Sequence, residues 1–325
     1  MANHFLKPTV IAQTALALLQ REIVLPSLVW RDAAPSYDGA FGDTVSLRVP
    51  GRAKARRMHW RERAEPIVTD DIRETKVDVS LDTHVYHATR ITDEELTLDI
   101  ADFGAQILTP QVRAIAEDLE DQVATEMIHA PYETVLSLDT DRPEDTLADA
   151  RTALNAENVS FDSRFAVLGS DVENVFWKSD RLVRVDTSGS DSVLRHADIG
   201  TLSGFTIYSS NALPADTAIV FQRSAFVLGV RAPIVPDGAS YGQSQSYANL
   251  AMRWLRDYDA PYLRDRSVVS TFSGTQYVPD VPKDTPAGEV PATDPKQFVR
   301  AVKIVLPPEP VTAVAAKTVA RKKVA

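Results

Sequence analysis

The sequence predicts an α+β protein. Three observations carry this reading: short stretches of apolar alternation early and late in the chain, one long amphipathic helix over about residues 105–129, and a mixed helix-and-strand module directly after it. The 325 residues allow about two domains at roughly 150 residues each, and an apolar content of 44% suffices for a real core.

Residues 1–40 read as an N-terminal arm. Thr9-Val10-Ile11 and Ala15 to Leu19 suit a short helix begun at Pro8, where the missing N–H costs little. Glu22 to Trp30 reads as extended, because Pro26 bars a helix interior. Val45, Leu47 and Val49 alternate, as do Val77, Val79, Leu81 and Val85, and each set predicts a strand. The long charged excursion between them reads as a projecting β-loop. Leu96, Leu98 and Ile100 continue the extended chain.

The strongest helix follows. Thr109 suits an N-cap and Pro110 the first helical position. Val112, Ile115, Leu119, Val123 and Met127 form one apolar stripe, and Glu117, Asp118, Glu120, Asp121 and Glu126 line the other face. A helix of about 20 to 25 residues is roughly 30 to 37 Å long.

From about Tyr132 to Pro236 the pattern mixes both element types. A helix near Pro143 carries Leu147, Ala150 and Leu154, and a second covers Asp171 to Trp177. Strands are predicted at 164–168, 204–208 and 218–221, with a polar loop at 188–192. Ala248, Leu250, Met252 and Trp254 then alternate, and 267–272 is β-rich; these late strands are expected to return to the first sheet. Five prolines between Pro279 and Pro295 read as an extended linker, and Phe298 to Leu306 as one more strand. Pro310 to Ala325 reads as a mobile basic tail.

Composition excludes several functions. With no cysteine there is no thiolate nucleophile, disulfide scaffold, cysteine zinc site or iron–sulfur cluster. Thirteen glycines, with no GxxxxGK[ST] or GxGxxG string, argue against a nucleotide-binding enzyme. A net charge of −10 disfavours general nucleic-acid binding. The apolar run from Pro8 to Gln20 is too short and polar to span a bilayer, and no export signal surrounds it. A soluble protein made in the cytoplasm is expected.

Candidate catalytic and metal sites are weak. His84 and His87 lie three apart on a predicted strand, so they point to opposite faces and do not share a metal. Gly242-Gln243-Ser244-Gln245-Ser246 lacks the second glycine of a nucleophile elbow. The acidic helix face has no ExxH signature. Asn158-Val159-Ser160 matches a glycosylation acceptor with no export signal to make it meaningful. No cofactor is expected and no enzyme activity is assigned.

The anomaly is charge segregation. Arg48, Arg52, Lys54, Arg56, Arg57, Arg61 and Arg63 face one acid, Glu62, for a net +6. From Glu65 to Asp102, eleven acids oppose three bases, for a net −8. Three readings stand open: nucleic-acid binding with Trp60 as a stacking platform, a solvated loop without a role, or docking on an acidic surface of another copy. The third uses what the chain already supplies, with Glu117, Asp118, Glu120 and Asp121 as the partner surface.

Several segments resemble a known family. They are Phe5 to Ala12 and Ile23-Val24-Leu25-Pro26 in the arm, Phe41-Gly42-Asp43-Thr44-Val45 at the start of the loop, the Thr109 to Met127 helix, and Ile199 to Asn211. In order and spacing they are similar to the major capsid proteins of tailed bacteriophages with the Hong Kong 97-type fold, nearest the coat-protein branch of actinobacterial phages. The resemblance implies an N-arm (1–40), an extended β-loop and peripheral domain with a long spine helix (41–131), and an axial domain (132–236). Strands returning to the peripheral domain (237–278) and a linker, short strand and basic tail (279–325) would follow.

It further implies copies arranged as hexamers and pentamers in an icosahedral shell around double-stranded DNA, without sequence-specific binding. The arm beginning at residue 1 suggests a separate scaffolding protein. A portal, and in some members a decoration protein, would be further partners; no membrane is involved. Some members crosslink through a loop lysine, and Lys54 is the only lysine in the basic stretch from Arg48 to Arg63. The shell would be assembled in the host cytoplasm and located in the virion capsid. Three alternatives remain: an encapsulin-type compartment with enzyme cargo, a soluble enzyme with an acidic surface, and a nucleic-acid-binding protein.

Overall fold

In the computed structural model the described residues are 24–31, 44–49, 57, 75–95, 103–179, 200–239, 241–247, 250–280 and 297–307. The expected arm helix at Pro8, the alternation at 96–100, the polar loop at 188–192, Ala248 and the basic tail lie outside them.

The arm's end differs from the extended run expected at 22–30. A single turn, α1 (Leu25–Leu28), forms there. Pro26 lies in its first turn, where no N–H is needed, so a proline that bars a longer helix is compatible with this one. So short a helix has little stability of its own. Leu25, Leu28 and Val29 hold it by burial in the main core.

Strand β1 (Thr44–Val49) pairs antiparallel with β2 (Thr75–Ser80), from Thr44 opposite Ser80 to Val49 opposite Thr75. The single strand expected over Val77 to Val85 is two. The chain breaks at Leu81-Asp82, and β3 (Thr83–Thr92) enters a different sheet. Along β3, Val85 and Ile91 are buried while His84, Tyr86, Ala88 and Arg90 are exposed, the period of two of a half-buried strand.

A π-helical turn, Gly104–Leu108, runs directly into the spine helix α2 (Thr109–His129). Thr109 therefore sits inside a continuous helix and is not its cap; its hydroxyl donates to the Gly104 carbonyl at 3.0 Å. The wider turn ahead of Pro110 gives room to a ring that would strike the carbonyl four residues back in a regular helix. Val112, Ile115, Leu119, Val123 and Met127 are all buried, as the stripe predicts.

After the spine helix come β4 (Val135–Ser137), α3 (Pro143–Ala156), β5 (Arg164–Leu168), α4 (Ser170–Lys178), β6 (Thr201–Leu202), β7 (Phe205–Ser209) and β8 (Thr217–Gln222). Then β9 (Phe226–Arg231), β10 (Tyr241–Tyr247), β11 (Leu250–Asp259), β12 (Arg264–Tyr277) and β13 (Ala301–Val305) complete the order. One sheet runs β10-β11-β12-β3, with β9 also on β12. The late strands thus return to the first sheet, as expected. The other sheet runs β4-β13-β8-β5-β7-β6.

Sheet membership departs from the expected boundaries at two places. β9 precedes residue 236 yet pairs with β12. β13 follows the proline-rich stretch yet lies between β4 and β8, parallel to one and antiparallel to the other. The described residues on either side of the proline-rich stretch meet, with the Asp280 N–H donating to the Gln297 carbonyl at 2.7 Å.

Strand β8 is buried on both faces, which explains its continuous apolar run. Ala218 and Val220 pack with Leu147, Ala150, Leu154 and Phe176 of the helical layer. Ile219 and Phe221 face the core shared with the spine helix. Phe298 anchors the junction of the two sheets, with its ring centroid 5.4 Å from Phe226 and 5.5 Å from both Tyr132 and Tyr277. These edge-on contacts are the preferred aromatic geometry.

Candidate inter-subunit surfaces

The basic loop is rooted in the β1–β2 ribbon. Val77 and Val79 of β2 are buried against Val227 and Val278, with Trp30 and Leu81 beside them. Their alternation seats one face of the ribbon on the body of the protein, so residues 50–74 depart from a fixed base at Val49 and Thr75. Arg48 lies in β1 opposite Lys76, and Arg57 is exposed. Arg52, Lys54, Arg56, Arg61 and Arg63 fall outside the described residues, as does Trp60.

The spine helix separates its acids. Glu117, Asp118 and Asp121 are exposed. Glu117 pairs with Arg113 one turn back at 3.5 Å, and Asp118 accepts from the Gln122 amide at 2.7 Å. Glu120 is half-buried and accepts from the Ser210 hydroxyl at 3.2 Å, which joins the helix to the six-stranded sheet. Glu126 accepts from the Tyr277 N–H at 3.0 Å. Burial raises the Glu126 carboxyl above the ordinary range, and the Tyr277 N–H and His129 oppose that rise. Burial, with the Glu126 charge added, also raises the Tyr132 phenol, which donates to the Met127 carbonyl.

Buried polar groups set the helix register. Gln111 is fully buried. Its amide donates to Thr89 Oγ1 and the Ser267 carbonyl at 3.0 and 2.9 Å, and accepts from Ser267 Oγ at 2.9 Å. Trp254 Nε1 donates to the same hydroxyl at 3.0 Å. Farther along, Ser273 Oγ donates to Gln122 Oε1 at 2.7 Å. A sliding helix would orphan all of these at once, and unpaired buried groups are costly.

A third surface escaped the sequence reading. At the β11–β12 hairpin end, Arg256 pairs with Asp265, Arg266 with Asp257, and Arg264 with Asp259 at 3.1 Å. The Tyr258 hydroxyl donates to Asp93 at 3.0 Å. Hydrogen bonding and charge from Asp257 raise the Arg266 guanidinium further above its ordinary value. A cleft of about 520 Å³ is lined by Ala88, Arg90, Asp257, Tyr258, Asp259, Arg264 and Arg266. At the tip, Tyr262 and Leu263 are exposed, and Leu263 holds a left-handed conformation, φ 47 and ψ 53. A sequence signal existed: Arg256-Asp257-Tyr258-Asp259 and Arg264-Asp265-Arg266 alternate in charge on either side of Ala260-Pro261.

The histidines lie on opposite faces of β3, as the spacing requires. The His84 ring is tilted against Phe272 with centroids 4.5 Å apart, and partial desolvation followed by the Arg253 charge lowers its pKa. His87 is half-buried. Ser244 lies within strand β10 and donates to the Pro233 carbonyl at 2.7 Å, an arrangement unlike a nucleophile elbow. Among the described residues, no group of three or more His, Cys, Asp or Glu is placed to hold a metal, and no helix is long and apolar enough to cross a membrane.

A family profile described as phage capsid protein matches residues 74–275. The chain belongs to that family. The match runs from β2 through the spine helix to near the end of β12, so it takes in the helix, the sheet of β3 and β9 to β12, and the six-stranded sheet apart from β13. The curated proteins include no match to the chain. Solved structures share its fold. One described as Mycobacterium phage Che8 is 18% identical, with 87% of this chain and 90% of that chain covered and a TM-score of 0.59. The head structure of Helicobacter pylori bacteriophage KHP40 is 10% identical, with 82% and 85% covered and a TM-score of 0.58. A virus-like particle from Pyrococcus furiosus is 13% identical, with 91% and 98% covered and a TM-score of 0.52. The α+β architecture is therefore the Hong Kong 97-type capsid fold, and the phage capsid profile does not favour the encapsulin alternative.

Proposed function

We propose that this capsid protein is the major coat protein of a tailed phage. It self-assembles as hexamers and pentamers into an icosahedral shell enclosing double-stranded DNA, with a separate scaffolding protein and a portal as assembly partners. The observation that carries the reading is the phage capsid match across residues 74–275, which spans the spine helix and every strand of the two large sheets except β13. The role is structural, in the virion, with assembly in the host cytoplasm. An acidic wall of net charge −10 would line the DNA without gripping it.

The basic loop of one copy docks on the exposed helix acids of another, Glu117, Asp118 and Asp121. Weak contacts of this kind, repeated by symmetry, give a stable assembly and a defined register. Electron microscopy of the protein co-expressed with its scaffold gene tests the reading. Closed shells tens of nanometres across are expected, and small discrete oligomers alone would overturn it. Neutralising Arg52, Arg56 and Arg57 together should block shell formation while the thermal unfolding of the isolated subunit stays unchanged. Normal shells from that variant would remove the loop from the interface.

A further inference from the structure

The five-stranded sheet gathers cationic side chains on the face turned away from the spine helix. Strand register places them. Arg253 of β11 lies opposite Ser270 of β12, which lies opposite Tyr86 of β3. Two residues along β12, Phe272 lies between His84 of β3 and Arg231 of β9. Residues paired across strands, and residues two apart on one strand, share a face. Arg231, Arg253 and His84 therefore surround Ser270 and Phe272. The core side chains Val85, Val269 and Trp254 occupy the opposite face. His84 and Tyr86 are exposed, with ring centroids 6.1 Å apart.

Arg253 differs from the other arginines of β11 and β12. Arg256, Arg264 and Arg266 each pair with an aspartate. Arg253 meets only neutral acceptors: Nε donates to Ser270 Oγ at 3.2 Å and Nη1 to the Ile234 carbonyl at 2.7 Å. Its Nη2 donates to none of the described residues. Burial holds the Arg253 guanidinium below its ordinary value, and its charge adds to desolvation in lowering His84. The acids flanking this corner are engaged elsewhere. Asp82 accepts from Thr83 Oγ1 at 3.0 Å, and Asp78 pairs with Lys76 at 3.2 Å. Toward the hairpin end acids return at Asp257, Asp259, Asp93 and Glu94, so the acid-free patch is confined to this corner. Half-buried positive charge without a counter-ion is costly, and like charges on neighbouring strands repel.

We propose that Arg253 and His84 bind a tetrahedral oxyanion, of the phosphate or sulfate class, above Phe272. The site lies within one chain and is independent of the shell-forming reading. An oxyanion here supplies the counter-charge that Arg253 lacks. It takes charge-assisted bonds from the open Nη2 and from protonated His84. Arg231 adds favourable charge from a third strand. Phe272 forms an apolar floor, where such bonds are stronger than in open water. The patch spans two rows of the sheet, a size that suits one anion and gives no track for a nucleic-acid backbone.

Equilibrium dialysis of the full chain against radiolabelled sulfate, at fixed ionic strength, tests the site in any state of assembly. Sulfate keeps its charge through the histidine range, so any pH dependence belongs to the protein. Wild type should bind one sulfate per chain, about tenfold more tightly at pH 5 than at pH 8, because His84 gains its charge as pH falls. His84→Gln should keep the weaker binding at pH 8 and lose the pH dependence. Arg253→Gln should weaken binding by about tenfold or more at both pH values. His84→Glu places a carboxylate beside Arg253. It should abolish sulfate binding while its unfolding temperature stays at or above that of His84→Gln, an outcome that general destabilisation does not produce. Equal sulfate uptake by wild type and His84→Glu overturns the site, whether or not Arg253→Gln folds. A short DNA duplex should leave the sulfate in place; displacement at matching affinity would overturn a free anion as the occupant in favour of a phosphodiester.

Discussion

Arg300 and Asp280 meet in a two-point ion pair, with Nε and Nη2 donating to the two carboxylate oxygens at 2.8 and 2.6 Å. The Arg300 side chain also reaches Ser224 Oγ at 2.8 Å. Asp280 is 7% exposed, so removing it strands a guanidinium in poorly hydrated surroundings. Asp280→Ala should cost about 3 kcal/mol, read as a lowered urea midpoint. A shift no larger than that of a surface alanine substitution would show that water replaces the carboxylate.

The same pair lies beside a second contact, between residues 280 and 297. Asp280 and Gln297 are bridged in antiparallel fashion, so the ends stay together whatever lies between. Loop length changes closure entropy only slowly. Replacing residues 282–295 with a short Gly-Ser turn should leave the thermal unfolding temperature of the subunit within a few degrees of wild type.

Phe298 is fully buried and ringed by Phe226, Tyr132 and Tyr277. Phe298→Ala opens a cavity where the two sheets join, with an expected loss of about 3–5 kcal/mol. The exposed Phe161→Ala should lose less than about 0.5 kcal/mol by comparison, and chemical denaturation of both variants checks the contrast.

Glu126 links pH to stability. Its carboxyl is raised above the ordinary glutamate value of 4.5, chiefly by burial. A raised acid favours the protonated folded state, so its contribution is fully present below pH 4.5 and is lost as pH rises through the higher folded value. Glu126→Gln keeps an acceptor for the Tyr277 N–H and removes the charge. The variant should melt higher than wild type at pH 7.5 and equally at pH 4. Because the group is only half-buried, the gain should stay under about 1 kcal/mol.

Gly274 tests how β2 is seated. A side chain there would overlap the Ser80 carbonyl oxygen, backbone that cannot rotate away. Gly274→Ala should therefore displace the ribbon from β12. Faster proteolysis within residues 50–74 of the variant, relative to wild type, would report the loosened base.

The spine helix and its stripe were legible because an apolar period near 3.6 has one structural solution. β5, β8 and the α3 helix were legible for the same local reason. Sheet membership was not. β13 and β9 carry the apolar signature of any strand, and their partners lie far along the chain, so local periodicity is silent about them. Glu120 was readable in part. It lies four residues after buried Ala116 and three before buried Val123, a position at the edge of the stripe, yet its charge drew it into the outward set. The hairpin end was missed because its mirrored charges cancel in any net-charge count.

The place of β13 sets a schedule for biosynthesis. β4 pairs only with β13 among the described strands, and β8 keeps one edge open until β13 arrives. At roughly 5–20 residues per second, the ribosome delivers residue 305 many seconds after residue 137. The nascent chain thus carries an unfinished sheet until residue 305 emerges, with long-range pairing as its slow step. Copies emerging side by side on one messenger RNA cannot present a completed domain to each other until each has been extended through β13.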